Sequence, residues 1–259
     1  MTLPLLVRED KGVAQLVLNR PAVKNAIDDA LMSAMDDAVA ALEGREDLVA
    51  VVVTAAGEEA FCAGGDLKWL QSFDTPDKGA EMSRRMQGIM QRLSRLPPPV
   101  IGILNGYALG GGTEIALACD LRVMEEHSFL QFKQAQVGVM SGWGGGARLL
   151  RLVGYSRAME LFATGRKLQP EEALALGLTN RVVPRGAGES AAAAMIDLFR
   201  RGSARSIRTI KQLLQGAMDR DQLGGTELEA TLFSEVWCSP EHDEAIEAFL
   251  QKRRPDFSK

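Results

Sequence analysis

The stretch Asn105-Gly106-Tyr107-Ala108-Leu109-Gly110-Gly111-Gly112-Thr113-Glu114 decides how this chain is read. It follows the short apolar run Val100–Leu104, which reads as a buried strand, and it leads into a helix over 114–119. A second glycine turn, Phe61-Cys62-Ala63-Gly64-Gly65-Asp66-Leu67, stands in the same relation to the Val-rich run 49–54 and to helical sequence beyond it. Outward from these turns the alternation continues. Residues 13–19 and 120–124 read as further strands. Residues 28–42 carry Leu31, Met35, Val39 and Leu42 at helical spacing, with Asp28 as N-cap. Residues 81–96 read as another amphipathic helix, stopped by Pro97-Pro98-Pro99. Strands separated by helices predict crossover connections and a mainly parallel sheet. From 144 to 250 the pattern becomes helix after helix, with turns near Gly154, Gly165, Gly177 and Gly186. No linker and no internal repeat interrupts it. The chain therefore reads as an α/β core over 1–190 and a C-terminal helical region over 191–259 in the same structural unit, serving oligomerisation and as a lid over a pocket.

Composition narrows the function. The 259 residues are 46% hydrophobic and 25% charged, with a net charge of −4, the proportions of a globular domain rather than a disordered chain. The acidic balance and the lack of a long Lys/Arg run argue against a nucleic-acid partner. No segment reaches the roughly 18 apolar residues of a membrane span, and the opening MTLPLLVRED is too short in apolar sequence for a signal peptide. Cys62, Cys119 and Cys238 are odd in number and far apart, which predicts no disulfide framework and a reducing compartment, the cytoplasm. His127 and His242 sit in no metal or triad pattern and no G-x-S-x-G occurs, so neither a metal site nor a serine hydrolase is expected.

Glycine permits close backbone approach, and the first amides of a helix have no partner within it. Two such turns at adjacent strand ends can aim two N–H groups at one oxygen, the geometry of an oxyanion hole. The plainer alternative is a pair of tight strand–helix turns without a ligand. Neither turn fits G-x-G-x-x-G or a P-loop, so neither is a nucleotide-phosphate cradle of those kinds.

Five segments together carry a resemblance: NRPAVKNAID at 19–28, AFCAGGDL at 60–67, NGYALGGGTEIALACD at 105–120, TGRKLQPEEALALGLTNRVVP at 164–184 and EAFLQKRRPDF at 247–257. In order and spacing they resemble the crotonase (enoyl-CoA hydratase/isomerase) superfamily over nearly the whole chain. The resemblance implies a spiral of ββα units with a C-terminal helical trimerisation region, assembled as a homotrimer or a dimer of trimers. It implies an acyl-CoA thioester as substrate, in fatty acid metabolism, with no cofactor beyond the coenzyme A that the substrate carries. It places the thioester oxygen between the amides of Gly65 and Gly111. Lys24, Ala26, Ala63, Asp66 and Leu67 then match coenzyme-contacting positions, and Phe249 and Lys252 match a pair that reaches a neighbouring subunit's coenzyme. Glu114 matches a general acid/base beside the enolate carbon, a role that requires burial to raise its pKa.

The sequence departs from the hydratases of that family at one decisive place. Where they carry a second glutamate, this chain has Gln134, which can hold a water but cannot take its proton. The following Ser141-Gly142-Trp143-Gly144, with Glu235-Val236-Trp237 later, resembles the branch that decarboxylates methylmalonyl- and ethylmalonyl-CoA. Gly142 could hold water or substrate by its amide; Trp143 and Trp237 are either pocket walls or ordinary core. The nominal expectation is hydration of a 2-enoyl-CoA. Decarboxylation of a malonyl-type thioester is the alternative, and a non-catalytic acyl-CoA-binding or assembly protein the second.

Overall fold

The computed structural model describes residues 3–237 and 239–257, so Cys238 lies outside the described residues. A hairpin opens the chain: β1 (Leu5–Asp10) pairs antiparallel with β2 (Val13–Leu18). Lys11 and Gly12 join them, both at positive φ (48° and 73°), as a two-residue turn with the right twist requires. Helix α1 (Asp29–Leu42) starts at Asp28, whose side chain accepts from the Leu31 amide at 2.9 Å. Such a cap is typically worth about 1 kcal/mol.

Three strand–strand–helix units follow. The first is β3 (Ala50–Ala55), β4 (Ala60–Cys62), the single turn α2 (Leu67–Leu70) and the long α3 (Pro76–Arg95). The second is β5 (Val100–Leu104), β6 (Tyr107–Leu109) and α4 (Gly111–Ala118). The third is β7 (Leu121–Glu125), β8 (Leu130–Gln131), a 3-10 turn at Ala135–Val137 and α5 (Gly145–Val153). Beyond them run α6 (Tyr155–Thr164), β9 (Lys167–Leu168), α7 (Pro170–Ala175), β10 (Arg181–Val183), α8 (Gly188–Phe199), α9 (Ala204–Ala217), α10 (Gln222–Trp237) and α11 (Pro240–Leu250). The long strands form one sheet in the order β1-β2-β3-β5-β7-β10, parallel from β2 onward. The short second strands form another, β4-β6-β8-β9, beyond the C-terminal ends of β3, β5 and β7. This is the spiral of ββα units expected from the resemblance.

β3 and β5 are buried along their whole length because both sheet faces are covered. Val51, Val53, Val100 and Leu104 meet α1 and α3 through Leu31, Met35, Met86 and Met90. The alternate residues Val52, Ile101 and Ile103 meet Ala192, Met195 and Ile196 of α8. Helix α8 thus runs across the boundary drawn at 190/191 and packs on the core sheet.

Three local readings differ from the sequence. Helix α4 begins at Gly111 rather than 114, because the amides of Thr113 and Glu114 already reach Gly110 O at 3.0 and 3.4 Å. Helix α3 begins at Pro76 rather than 81, with Thr75 as N-cap and the proline in the first turn, where its missing N–H costs nothing. Two short strands interrupt the stretch expected to be all helix, and β10 extends the main sheet along β7.

Candidate functional site

The two glycine turns abut. Gly64 has φ +95°, and a Cβ there would lie 3.1 Å from Leu109 O and 3.3 Å from the Gly111 amide nitrogen. A Cβ on Gly112 would overlap the Cys62 carbonyl. Only glycines let the end of β4 and the start of α4 come this close. The Gly65 and Gly111 amides donate to no described residue, whereas those of Gly64, Asp66 and Gly110 do. Two unpaired donors on touching turns can serve a common acceptor.

The first turn is held by a strap. Ala63 N donates to Lys24 O at 3.0 Å, Ile27 N to Gly64 O at 2.8 Å, and Asp66 N to Ile27 O at 2.8 Å. Arg20 locks the strap from the side. Its guanidinium donates to Ala26 O and pairs with Asp28 at 2.7 Å and Asp66 at 3.3 Å. Asp66 in turn caps α2 through the Lys68 amide. Asn25, buried at φ 53°, binds Ala56 O and Ala60 O through its side-chain amide. The motif at 19–28 is therefore a scaffold for the Gly64–Gly65 turn. Beneath it the Cys62 thiol is fully buried and pushed up to about 12, which leaves it inert as a nucleophile.

Glu114 lies one turn into α4, 2% exposed. Its Oε2 accepts from Ser141 Oγ at 2.7 Å, Trp143 N at 2.7 Å and Gly145 N at 2.8 Å. Its Oε1 accepts from Gly142 N at 3.3 Å and Gln134 Nε2 at 3.2 Å. Five donors meet a group with about four lone-pair positions. The loop 141–145 is thereby wrapped around one carboxylate, with no room for a side chain at Gly145, whose Cβ would overlap Glu114 Cγ. From α3, Ser83 and Gln87 fasten the loop at Gly142 O. The loop carries the Trp143 indole to Gly111, where a Cβ would overlap its six-membered ring. Trp143 is buried, and its Nε1 donates to Met82 Sδ at 3.4 Å. Gln134 Oε1 is buried and accepts from no described residue.

The structure thus brings Gly65, Gly111, Glu114, Gln134, Gly142 and Trp143 into one connected cluster. Ala63 and Asp66 belong to the strapped turn, and the Ala26 carbonyl is engaged by Arg20. Lys24 is ion-paired with Glu59 at the edge, which raises its pKa, and Leu67 is largely exposed to solvent. Phe249, near the end of α11, and Lys252, just beyond it, are exposed and form no hydrogen bond or ion pair with the cluster; Trp237 stacks between Phe233 and His242 instead. Sequence reasoning missed Arg20, Ser141 and Gly145 as working parts. Their signal lay in motifs already singled out, the Asn19-Arg20-Pro21 start and the Ser-Gly-Trp-Gly-Gly run. Among the described residues no group of His, Cys, Asp and Glu is arranged to hold a metal. No helix among them is long and apolar enough to cross a membrane.

Residues 8–259 match the family model of the enoyl-CoA hydratase/isomerases. The chain is 33% identical over 234 residues to the ethylmalonyl-CoA decarboxylase of Xenopus laevis, covering 90% of this chain and 78% of that protein. It is 31% identical over 255 residues to the short-chain-enoyl-CoA hydratase of Clostridium acetobutylicum, covering 98% and 97%. The crystal structure of an enoyl-CoA hydratase from Bacillus anthracis superposes with a TM-score of 0.93 at 31% identity, covering 98% of both chains.

Proposed function

The chain belongs to the enoyl-CoA hydratase/isomerase family, and from that premise we propose that it is an acyl-CoA lyase whose principal reaction is decarboxylation of a malonyl-type thioester. The observation that carries the choice is the surroundings of Glu114. Its carboxylate is filled by five donors, and the side chain beside it is the amide of Gln134. Hydration asks for one group to take a proton from water and another to deliver one to the α-carbon. Decarboxylation needs no base to begin. The electrons of the breaking C–C bond move onto the thioester carbonyl, CO₂ leaves, and the amides of Gly65 and Gly111 hold the enolate oxygen. Water then protonates the α-carbon. One donor of this kind is typically worth about 2.7–4 kcal/mol.

Hydration of a 2-enoyl thioester is the second reading, favoured by Gln134 Oε1. That atom is buried, lacks a donor, and could keep a water beside Glu114. The relatives include an ethylmalonyl-CoA decarboxylase and a short-chain-enoyl-CoA hydratase, in keeping with both chemistries. Methylmalonyl-CoA and ethylmalonyl-CoA should release CO₂, with crotonyl-CoA losing its conjugation far more slowly. Turnover of crotonyl-CoA alone reverses the assignment, and coenzyme binding without turnover of any of these leaves a binding protein.

A trimer, or a dimer of trimers, accompanies this reading. Exposed Ile210 and Leu214 on α9 and Met218 at its C-terminal cap form a stripe at helical spacing, and Phe249 and Leu250 end α11. In that assembly Phe249 and Lys252 reach a neighbour's coenzyme. The free, buried Cys62 and Cys119 are in keeping with a reducing compartment, the cytoplasm in this reading.

A further inference from the structure

A groove of about 550 Å³ opens where the α8–α9 turn, Pro98–Pro99 and the C-terminal residues 254–257 meet. It is not the site described above. Its residues Leu48 and Val49 precede β3, and Pro98 and Pro99 precede β5. The glycine turns follow β4 and β6, beyond the opposite ends of β3 and β5, so the two places lie at opposite ends of the strands. The groove is in the size range of small-molecule sites.

Its chemistry is one-sided. Arg200, Arg201, Arg208 and Arg254 line it against a single carboxylate, Asp256, on a chain of net charge −4. Arg200 is partnered by Asp197. Arg201 and Arg254 make no ion pair among the described residues. Arg208 is anchored by donating to Glu46 O, and its Nε is buried without a partner. The rest of the lining is largely apolar, with rings from Phe199 and Phe257 and the flat side chains of Pro98 and Pro99. Guanidinium is suited to phosphate, which it grips through two parallel N–H bonds, and it stacks on planar groups. A bare phosphate would use the arginines and waste the rings; a neutral aromatic would do the reverse.

From this we infer a second ligand site, for a nucleoside polyphosphate. Its phosphates would lie on Arg201, Arg208 and Arg254 and its base against Phe199 and Phe257. The same chemistry occurs in a free nucleotide and in the nucleotide end of coenzyme A.

The test is calorimetric titration of the full chain, and of the double variant R201E/R254E, with ADP, coenzyme A and pyrophosphate. Both arginines are exposed and lie outside the proposed catalytic cluster, so turnover of ethylmalonyl-CoA should be unchanged in the variant. ADP should bind the parent, and the variant should bind it at least roughly tenfold more weakly. A variant-sensitive coenzyme A event tighter than that of ADP assigns the groove to the coenzyme; the opposite order assigns it to the free nucleotide. Equal ADP affinity in parent and variant, or no ADP or variant-sensitive coenzyme A binding at about 1 mM, overturns the site. Pyrophosphate binding as tightly as ADP overturns the part given to the rings.

Discussion

Trp143 lies against Gly111 so closely that a single methyl group on the glycine would occupy the position of the indole ring. The amide proposed to hold the enolate is therefore backed by an aromatic wall, delivered from a loop about thirty residues further along the chain. Gly111→Ala must push that wall away or tilt the amide. Its kcat should fall by about 10²–10³, the loss expected for one misdirected oxyanion donor. Adding Trp143→Ala should restore part of the rate if the clash is the cause. A double variant no better than G111A would show that the backbone alone is at fault.

Glu114→Gln sets an amide NH₂ among groups that are all donors. Leaving a buried donor unmatched costs about 1–3 kcal/mol. At about 2–4 °C per kcal/mol for a chain of this size, the melting temperature should drop by several degrees. Decarboxylation should survive in part, since the base-free step remains, whereas hydration should vanish. A variant with parental stability and no decarboxylation would return Glu114 to a direct role in proton transfer.

Gln134→Glu would bring a second carboxylate within hydrogen-bond range of Glu114, where the amide now stands at 3.2 Å. Like charges so close cannot both ionise freely, and one proton is retained in the folded state. The native state then holds more protons than the unfolded one, so stability must fall as pH rises above the ordinary glutamate range. Thermal melts between pH 5 and 8 should show a downward slope absent from the parent. Crotonyl-CoA hydration should rise if a second carboxylate is what the pocket lacks; a flat melting profile with no gain in hydration would mean that the two carboxylates do not face each other.

Arg20→Lys keeps a positive charge but loses the fork that joins Ala26 O, Asp28 and Asp66. The strap should loosen where it supports Gly65. We expect kcat to fall at least roughly tenfold with KM little changed, because the interaction lost is one made in the transition state. A rise in KM alone would place Arg20 in coenzyme binding rather than in positioning the turn.

Cys62 and Cys119 are both fully buried, with their thiols pushed up to about 12 by desolvation. At pH 8 only about one thiol in 10⁴ is then ionised, and neither is accessible. Iodoacetamide should leave both unmodified in the folded protein and label both in denaturant, as read by mass spectrometry. Labelling of Cys62 under native conditions would mean that the turn above it opens.

The glycine turns, their strands and the capping of α1 by Asp28 were legible because they depend on neighbours within a few residues. The start of α4 was less so. Nothing local marks Gly111 as helical until Gly110 O is seen accepting the Thr113 and Glu114 amides. Glu114 itself stands out in the sequence as a carboxylate beside the glycines. What cannot be read there is that residues 141–145 return to surround it, since no periodicity encodes a loop folding back over that distance. Arg20 was hidden for the same reason: its partners Asp28 and Asp66 are separated in the chain and brought together by the strap, which includes the bridge between Ile27 and Gly65.

The loop 141–145 is built like an anion receptor, yet the protein has already seated its own anion there. A second negative group brought alongside by a substrate would meet occupied amides and the indole of Trp143 in place of hydration. Under the decarboxylation reading such a group is poorly solvated while it remains a carboxylate, and it escapes that penalty by departing as an uncharged gas.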